Sequence, residues 1–471
     1  MNIITMLGIV VAVVLIAGLA IHTGAKTIND ETNDNNAAVI AGVIMGTLVG
    51  GSSTVGTAQL AYDYGFSAWW FTLGGGIACF ILGLLYVKPL RRGNNATLVG
   101  MIRDEYGPTA GISATLLNSL GTFINIISQL LAASAVVLIV FPEARTVVTV
   151  LIAAFFMVLY VVFGGTKGAG IVGILKLALL YISMVACGLT VLKEVGGITP
   201  FIDMVGLLKE KTNVNYFSVF CRGFRFDFGS CMSLVFGVLT TQTYAQGVLS
   251  GRSDQAARLG AFVSALMIPP IGIFGIMVGL YMRSVTDSST FIAKTALTQF
   301  VLTQMPDFIG GIVLGTLFIA SVGTGAGLAL GIATVIRRDL IQKISSNFQK
   351  QDANGLLQKI LIVIILICAS ALSSGALGDT ILNFAFMSMG LRGATVFAPL
   401  CFILWGKRKV SKGWATVSII VGPVVVLLFQ TVPILNSLLN GWNSLFPGII
   451  SAVFIMALGY MKARKDITYN R

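Results

Sequence analysis

Two basic side chains stand where the surrounding sequence offers them no charged neighbour. Lys176 lies in GIVGILKLALLYIS, with no other charged residue between Lys167 and Lys193, and Arg392 lies in MSMGLRGATVFAP, between Asp379 and Lys407. A charge at the centre of a lipid-facing helix costs about 2.5–3.5 kcal/mol on insertion scales, so each must snorkel to an interface or point inward at polar partners. A second chemistry-bearing group is neutral. In IMGTLVGGSSTVGTAQLAYDYG, Gly46, Gly50, Gly51 and Gly56 interleave with Thr47, Ser52, Ser53, Thr54 and Thr57. That mixture is poor material for an uninterrupted helix, and a broken helix at mid-membrane exposes carbonyls and helix ends that bind ions and solutes. The same small and hydroxyl types recur in LFIASVGTGAGLALGIATVIRRDL, at Ala320, Ser321, Gly323 and Thr324. Carbonyl and hydroxyl oxygens are suitable ligands for a small hard cation. Close helix packing through small residues is the plainer account of the glycines alone.

These residues need a scaffold, and the composition defines its class. The 471 residues are 56% hydrophobic and 10% charged, with mean hydropathy +0.91; a soluble domain carries about 25% charged residues. The chain reads as an all-α polytopic membrane protein, and the absence of long alternating strands excludes a β-barrel. The net charge of +13 is the bias of membrane loops toward Lys and Arg and does not imply nucleic acid. Six cysteines without a CxxC pair and the lone His22 leave no protein metal site and no clustered groups for a membrane-embedded enzyme. Cys221 and Cys231 flank an extramembrane segment, with free thiols the favoured reading. GGTKGAG lacks the spacing of a phosphate loop. The first apolar run has no basic residue before it and Lys26 after it, the reverse of a signal peptide.

Apolar runs of about 20 residues or more, the length a ~30 Å hydrocarbon layer requires, fall at 4–22, 37–61, 66–87, 110–140, 146–164, 168–192, 226–247, 256–282, 306–336, 356–375, 380–405, 413–431 and 445–463. With the N-terminus outside, most of the 31 Lys and Arg fall in cytoplasmic loops and the C-terminal tail. The alternation holds along the whole chain and predicts about 13 spans.

In order, the segments GSSTVGTAQLAYDYG, TLVGMIRDEYG, INIISQLLAA, LYVVFGGTKGAG, TTQTYAQGVLSGRSDQAARLG and LFIASVGTGAGLALGIATVIRRDL, spanning about residues 40 to 340, resemble the sodium:solute symporters. That resemblance implies a LeuT-type fold of the APC superfamily, with two inverted five-helix repeats. It divides the chain into an extra N-terminal helix and loop (1–36), a first repeat (37–192), an extracellular loop (193–225), a second repeat (226–405) and two C-terminal helices with a tail (406–471). It carries the family's sodium site onto Gly46 and Val49, then Ala320, Gly323 and Thr324. Where the family has a further hydroxyl, this chain has Gly323, with Ser321 close by. Where the family has Asp and Gln after its Gly-Gly turn, this chain has Gly173 and Lys176. Some proton-coupled relatives in that fold superfamily use a lysine on this helix in place of sodium, so Lys176 is expected to point at the carbonyls near Gly46 and Val49 as a resident or titratable cation.

The expected function is secondary active uptake of a small organic solute, of the amino acid, carboxylate or vitamin class, by alternating access. Na+ is the coupling ion the family implies, H+ or no ion the variant Lys176 suggests, and no other cofactor is expected. The solute site is placed at Ser52, Ser53, Gln129, Phe236 and Gly237. Arg392 is expected to hold a solute carboxylate or an inward Asp63 or Asp379, while Asp227, Gln242 and Gln246 have no assigned role. No acidic residue falls in this pocket, which disfavours a strongly cationic solute. The partners are the solute, Na+ or H+ and the lipid bilayer, with no nucleic acid, and a monomer suffices. The expected location is the cell membrane, with the N-terminus outside and the C-terminus cytoplasmic. A channel would show a repeated filter segment and a sensor an appended soluble domain; the sequence has neither.

Overall fold

Backbone N–H and C=O groups that enter hydrocarbon must find partners within their own segment, so the apolar runs of this chain fold as helices. A computed structural model describes residues 2–26, 35–93, 97–164, 169–337, 356–375, 380–406 and 410–469. Among the described residues the fold is all helix apart from one isolated bridge, Asn35 to Gly251. Among the described residues nine helices are long and apolar enough to cross a membrane, and apolar helical stretches at Ile3–Ile16, Ala37–Leu48 and Thr146–Val161 join them. This does not reproduce a count of thirteen. One predicted span divides, and its second part runs on into the next as Ser52–Arg92.

The second predicted span shows why. Helix α2 (Ala37–Leu48) stops where Val49 turns extended, φ −90° and ψ 104°. The chain resumes through Gly51, a π-helical turn at Ser52–Gly56 and α3 (Thr57–Tyr64). Gly65 then takes φ +56° with the Tyr216 carbonyl close against its Cα, a position any side chain would block. The glycine-rich stretch therefore divides the span. The segment Asp307–Val335, α15, carries a similar mixture yet runs unbroken. Its Ser321 and Thr324 hydroxyls donate to the carbonyls of Leu317 and Ala320, each at 2.9 Å, so they satisfy their own helix.

A second discontinuity falls within the predicted span 226–247. Helix α11 (Phe224–Thr240) ends at Thr241, φ −88° and ψ 127°, and α12 (Gln242–Leu249) restarts beyond it. Through the middle runs α7 (Pro108–Val140), whose packing face is small and polar. It lies against α15 and against the helix Ile381–Trp405, α17 in chain order after Leu356–Gly375. Helix α1 (Ile3–Lys26) lies along α15, where Gly8, Gly311 and Gly315 let the two backbones approach, as small residues do between membrane helices. All six cysteines are free, Cys221 and Cys231 included. Asp379, Lys167 and the segment 338–355 lie outside the described residues.

Candidate functional site

The first break frees a carbonyl and a cation takes it. In an unbroken helix the Gly50 N–H would donate to the Gly46 carbonyl. Here it donates instead to Ser53 Oγ at 2.9 Å, and the Ser53 hydroxyl returns a hydrogen bond to the Gly50 carbonyl at 2.9 Å. Lys176, from α9 (Ala169–Val195), donates from Nζ to the Gly46 carbonyl at 3.0 Å and to Thr324 Oγ1 at 2.6 Å. The Thr324 hydroxyl passes its own proton to the Ala320 carbonyl at 2.9 Å. Lys176 is 6% exposed, so its side chain does not snorkel. Among the described residues no carboxylate pairs with it.

Of the six expected ion ligands, Gly46 and Thr324 meet Lys176 directly, and Ala320 meets it through Thr324. Val49 is the buried extended residue at the break. Ser321 packs against Gly51, and Gly323 faces the ring of Tyr160.

The expected solute residues divide into two groups. Ser52, Ser53 and Gln129 share one buried network. Ser52 Oγ lies 2.7 Å from Ser128 Oγ, Gln129 Nε2 donates to Ser52 Oγ at 2.8 Å, and Gln129 Oε1 accepts from the Gly51 N–H at 3.1 Å. Ser128 in turn donates to the Ile381 carbonyl at 2.9 Å, and Gln59 Oε1 accepts from the Ile381 N–H at 2.9 Å. This network ties the π-turn to α7 and to the start of α17. Phe236 and Gly237 are not part of it: the Phe236 ring meets Phe397 edge-on at 4.6 Å, and Gly237 packs on Met389.

Arg392 sits at the second break. Nη1 donates to Thr241 Oγ1 at 2.9 Å, Nε to the Ser388 carbonyl at 3.2 Å, and Nη2 to Ser388 Oγ and Met389 Sδ at 3.0 Å each. Thr241 donates onward to the Gly237 carbonyl at 2.6 Å. The expected pairing with Asp63 is absent. Asp63 lies near the C-terminal end of α3, where the charge it feels is that of Arg283. Sequence reasoning missed Ser128, Thr241 and Ser388, none of which stands in a distinctive pattern.

At the start of α11 the charges are paired. Arg222 Nη2 and Asp227 Oδ1 lie 2.7 Å apart, and Ser67 donates to Asp227 Oδ1 at 2.6 Å. The Arg222 guanidinium stands over Phe226 at 4.8 Å and Phe386 at 5.8 Å. Burial pulls Arg222 below its usual range and the Asp227 carboxylate pushes back. Phe226 and Phe386 also line a cavity of about 370 Å³, with Asn383, Gln430, Trp442 and Asn443 among its walls.

A helical membrane bundle with two interrupted helices, each break met by a buried polar network, is the architecture of solute transporters. Residues 32–422 match the model of the sodium:solute symporter family, and the chain belongs to that family. It is 23% identical over 367 residues to the high-affinity choline transporter 1 of Drosophila melanogaster, covering 73% of this chain and 58% of that protein. Over 432 residues it is 22% identical to the high affinity choline transporter 1 of Homo sapiens, covering 85% and 73%. Over 167 residues it is 29% identical to the uncharacterized symporter YwcA of Bacillus subtilis (strain 168), covering 35% of this chain and 31% of that one. Among solved structures, the substrate-bound outward-open state of a Na+-coupled sialic acid symporter superposes with TM-score 0.77 at 17% identity, over 98% of both chains. The nucleobase-cation-symport-1 family transporter Mhp1, in a closed conformation with bromovinylhydantoin bound, superposes with TM-score 0.58 at 12% identity, over 93% and 96%. These likenesses establish the LeuT-type fold.

Proposed function

We propose that this protein is a secondary active transporter that moves a small organic solute across the cell membrane by alternating access, with the Lys176 ammonium standing where the family holds a sodium ion. The observation that carries this reading is Lys176 Nζ on the Gly46 carbonyl and Thr324 hydroxyl, at 3.0 and 2.6 Å. Both are oxygens the family resemblance assigns to sodium. A covalently tethered cation there neutralises the same carbonyl dipoles and leaves no room for a second one at the same oxygens. The reading includes thirteen spans, inverted repeats at 37–192 and 226–405, an outside N-terminus and a cytoplasmic C-terminus. The two breaks, in α2–α3 and α11–α12, open these two repeats at matching places, which supports that division.

The test begins with a thermal-shift screen of amino acids, carboxylates, vitamins, sugars and choline, and the compounds that bind are followed as radiolabelled uptake into proteoliposomes. Uptake is expected to persist when sodium is replaced by N-methylglucamine, with or without a dependence on a proton gradient. Strict sodium dependence, together with unimpaired uptake by Lys176→Gln, would show that the lysine is not the resident cation. Coupling to Na+ as in the rest of the family would then be the correct reading.

A further inference from the structure

We infer that the solute carries an anionic group, a carboxylate or comparably small oxyanion, which docks beside Arg392 at the second helix break; this rests on the transporter reading above. Arg392 is 1% exposed. A guanidinium has five N–H donors, and here they meet only neutral acceptors: Thr241, the Ser388 carbonyl and hydroxyl, and Met389. Among the described residues no carboxylate lies within ion-pair distance of it. A buried charge in this condition is expensive unless something compensates it.

The elements that meet Arg392 carry polar groups with no partner. Asn118, Gly121 and Asn125 recur on one face of α7 at three- and four-residue spacing. The Arg392 stem crosses that face at Gly121, where an added Cβ would come within 2.7 Å of Arg392 Cγ. One turn further on, the Asn125 side chain is 8% exposed and makes no hydrogen bond to any described residue. Asn118 Oδ1 and Thr243 Oγ1 are buried and unbonded, and Thr243 follows the break two residues after Thr241, the hydroxyl Arg392 holds. An uncompensated guanidinium thus sits where α7 passes the second break, and both α7 and α12 carry polar side chains without partners. That set can hold a carboxylate: the guanidinium N–H not yet engaged, those that Thr241 and the Met389 thioether would release, and the Asn125 N–H and Thr243 O–H as further donors.

Charge balance in the bundle points the same way. Among the described residues the buried charged ones are Lys176, Asp227 and Arg392, and Asp227 is already taken by Arg222. A cationic solute would add a further positive charge to an interior that holds two unpaired ones, whereas an anion would neutralise one of them.

The experiment uses purified full-length protein in detergent and in proteoliposomes, with sodium-free salts of acetate, pyruvate, lactate, benzoate and nicotinate. The matched neutral compounds are acetamide, lactamide, benzamide and nicotinamide, and choline is the cation. At least one carboxylate is expected to raise the thermal midpoint while its amide and choline do not. Arg392→Gln should weaken that carboxylate at least about 30-fold, the loss typical of removing one partner of a buried charge pair. Arg392→Lys, which keeps the charge but not the fork, should weaken it roughly tenfold. Because Arg392→Gln risks misfolding, Asn125→Leu serves as the second variant, with an unliganded midpoint near wild type and affinity for the same carboxylate reduced about tenfold. The inference is overturned if no carboxylate binds, if choline or an amide binds more tightly than every carboxylate, or if folded Arg392→Gln or Asn125→Leu keeps wild-type affinity. Uptake of a neutral or cationic solute without carboxylate binding would sink this inference and leave the transporter reading intact. Carboxylate binding that follows the two variants, with no uptake into proteoliposomes, would sustain the inference and sink the transporter reading.

Discussion

The end of the bundle at Arg222 and its middle treat buried charge in opposite ways. At that end, Arg222 meets Asp227 at 2.7 Å with Ser67 bridging both, so a loop, the short turn Gly65–Trp69 after α3 and α11 are fastened by a closed and neutral unit. In the middle, Lys176 and Arg392 are as deeply buried and neither has a carboxylate. The contrast teaches where to look for function. A charge whose partner is supplied by the protein is part of the scaffold, and a charge whose partner is missing is waiting on something that comes and goes. The two middle cations also differ from each other. Lys176 meets a freed carbonyl and a hydroxyl, as an inorganic cation would; Arg392 meets hydroxyls, a carbonyl of its own helix and a thioether, and has donor capacity to spare.

The largest effect should come from breaking the Arg222–Asp227 unit. Asp227→Asn leaves the Arg222 guanidinium buried without a counter-charge, a change that typically costs about 3–5 kcal/mol. Chemical denaturation in detergent micelles should show the loss, and the double variant Arg222→Met with Asp227→Leu should recover most of it. If Asp227→Asn is as stable as wild type, the pair is not structural and the contrast with the middle collapses.

Lys176→Met sharpens the other side of the comparison. Removing a charge that has no ionic partner should change unfolding stability by only about 1 kcal/mol, since the desolvation cost of the ammonium disappears along with its hydrogen bonds. Sodium-free uptake should nevertheless fall at least tenfold, a difference of about 1.4 kcal/mol in transition-state terms. A variant as destabilised as Asp227→Asn would place Lys176 among the scaffold charges instead.

Much of this contrast was hidden in the sequence, for reasons that differ from residue to residue. The first break was legible because its cause is local: Gly46 to Thr57 is a run of poor helix formers, and Ser53 bonds within its own turn. The second was not, because Thr241 is an ordinary residue and the side chain that holds it, Arg392, comes from 151 positions away. Lys176 stood out as a lone charge, but its target 130 positions before it at Gly46 came only from the family resemblance, and its second partner, Thr324, 148 positions after it, was not foreseen. The pairing of Arg392 with Asp63 failed because sequence gives no depth: Asp63 falls beyond the π-turn, near the C-terminal end of α3. Phe236 lies apart from the Ser52 network for a related reason, since a ring on a helix can turn to either neighbour and this one turns to Phe397.

The smallest effect tests the comparison most finely, at the single hydroxyl that Lys176 shares with α15. Thr324 Oγ1 accepts from Lys176 and donates to Ala320, so it lies between a tethered cation and a carbonyl the family resemblance gives to sodium. Thr324→Val keeps the shape and removes the acceptor. A hydrogen bond to a charged group is worth about 1.5–3 kcal/mol gross of relaxation, but the ammonium retains the Gly46 carbonyl and a third proton free to rotate, so the net cost should be near the lower end. Sodium-free uptake is expected to drop several-fold, with Thr324→Ser restoring it because the hydroxyl returns while a methyl is lost. Were the site built for sodium, the same pair would read differently: Thr324→Val would raise the sodium concentration needed for half-maximal uptake, and wild type would show a saturable sodium dependence to begin with. Sodium titration of the three proteins therefore separates a lysine that fills an ion site from a lysine that merely borders one.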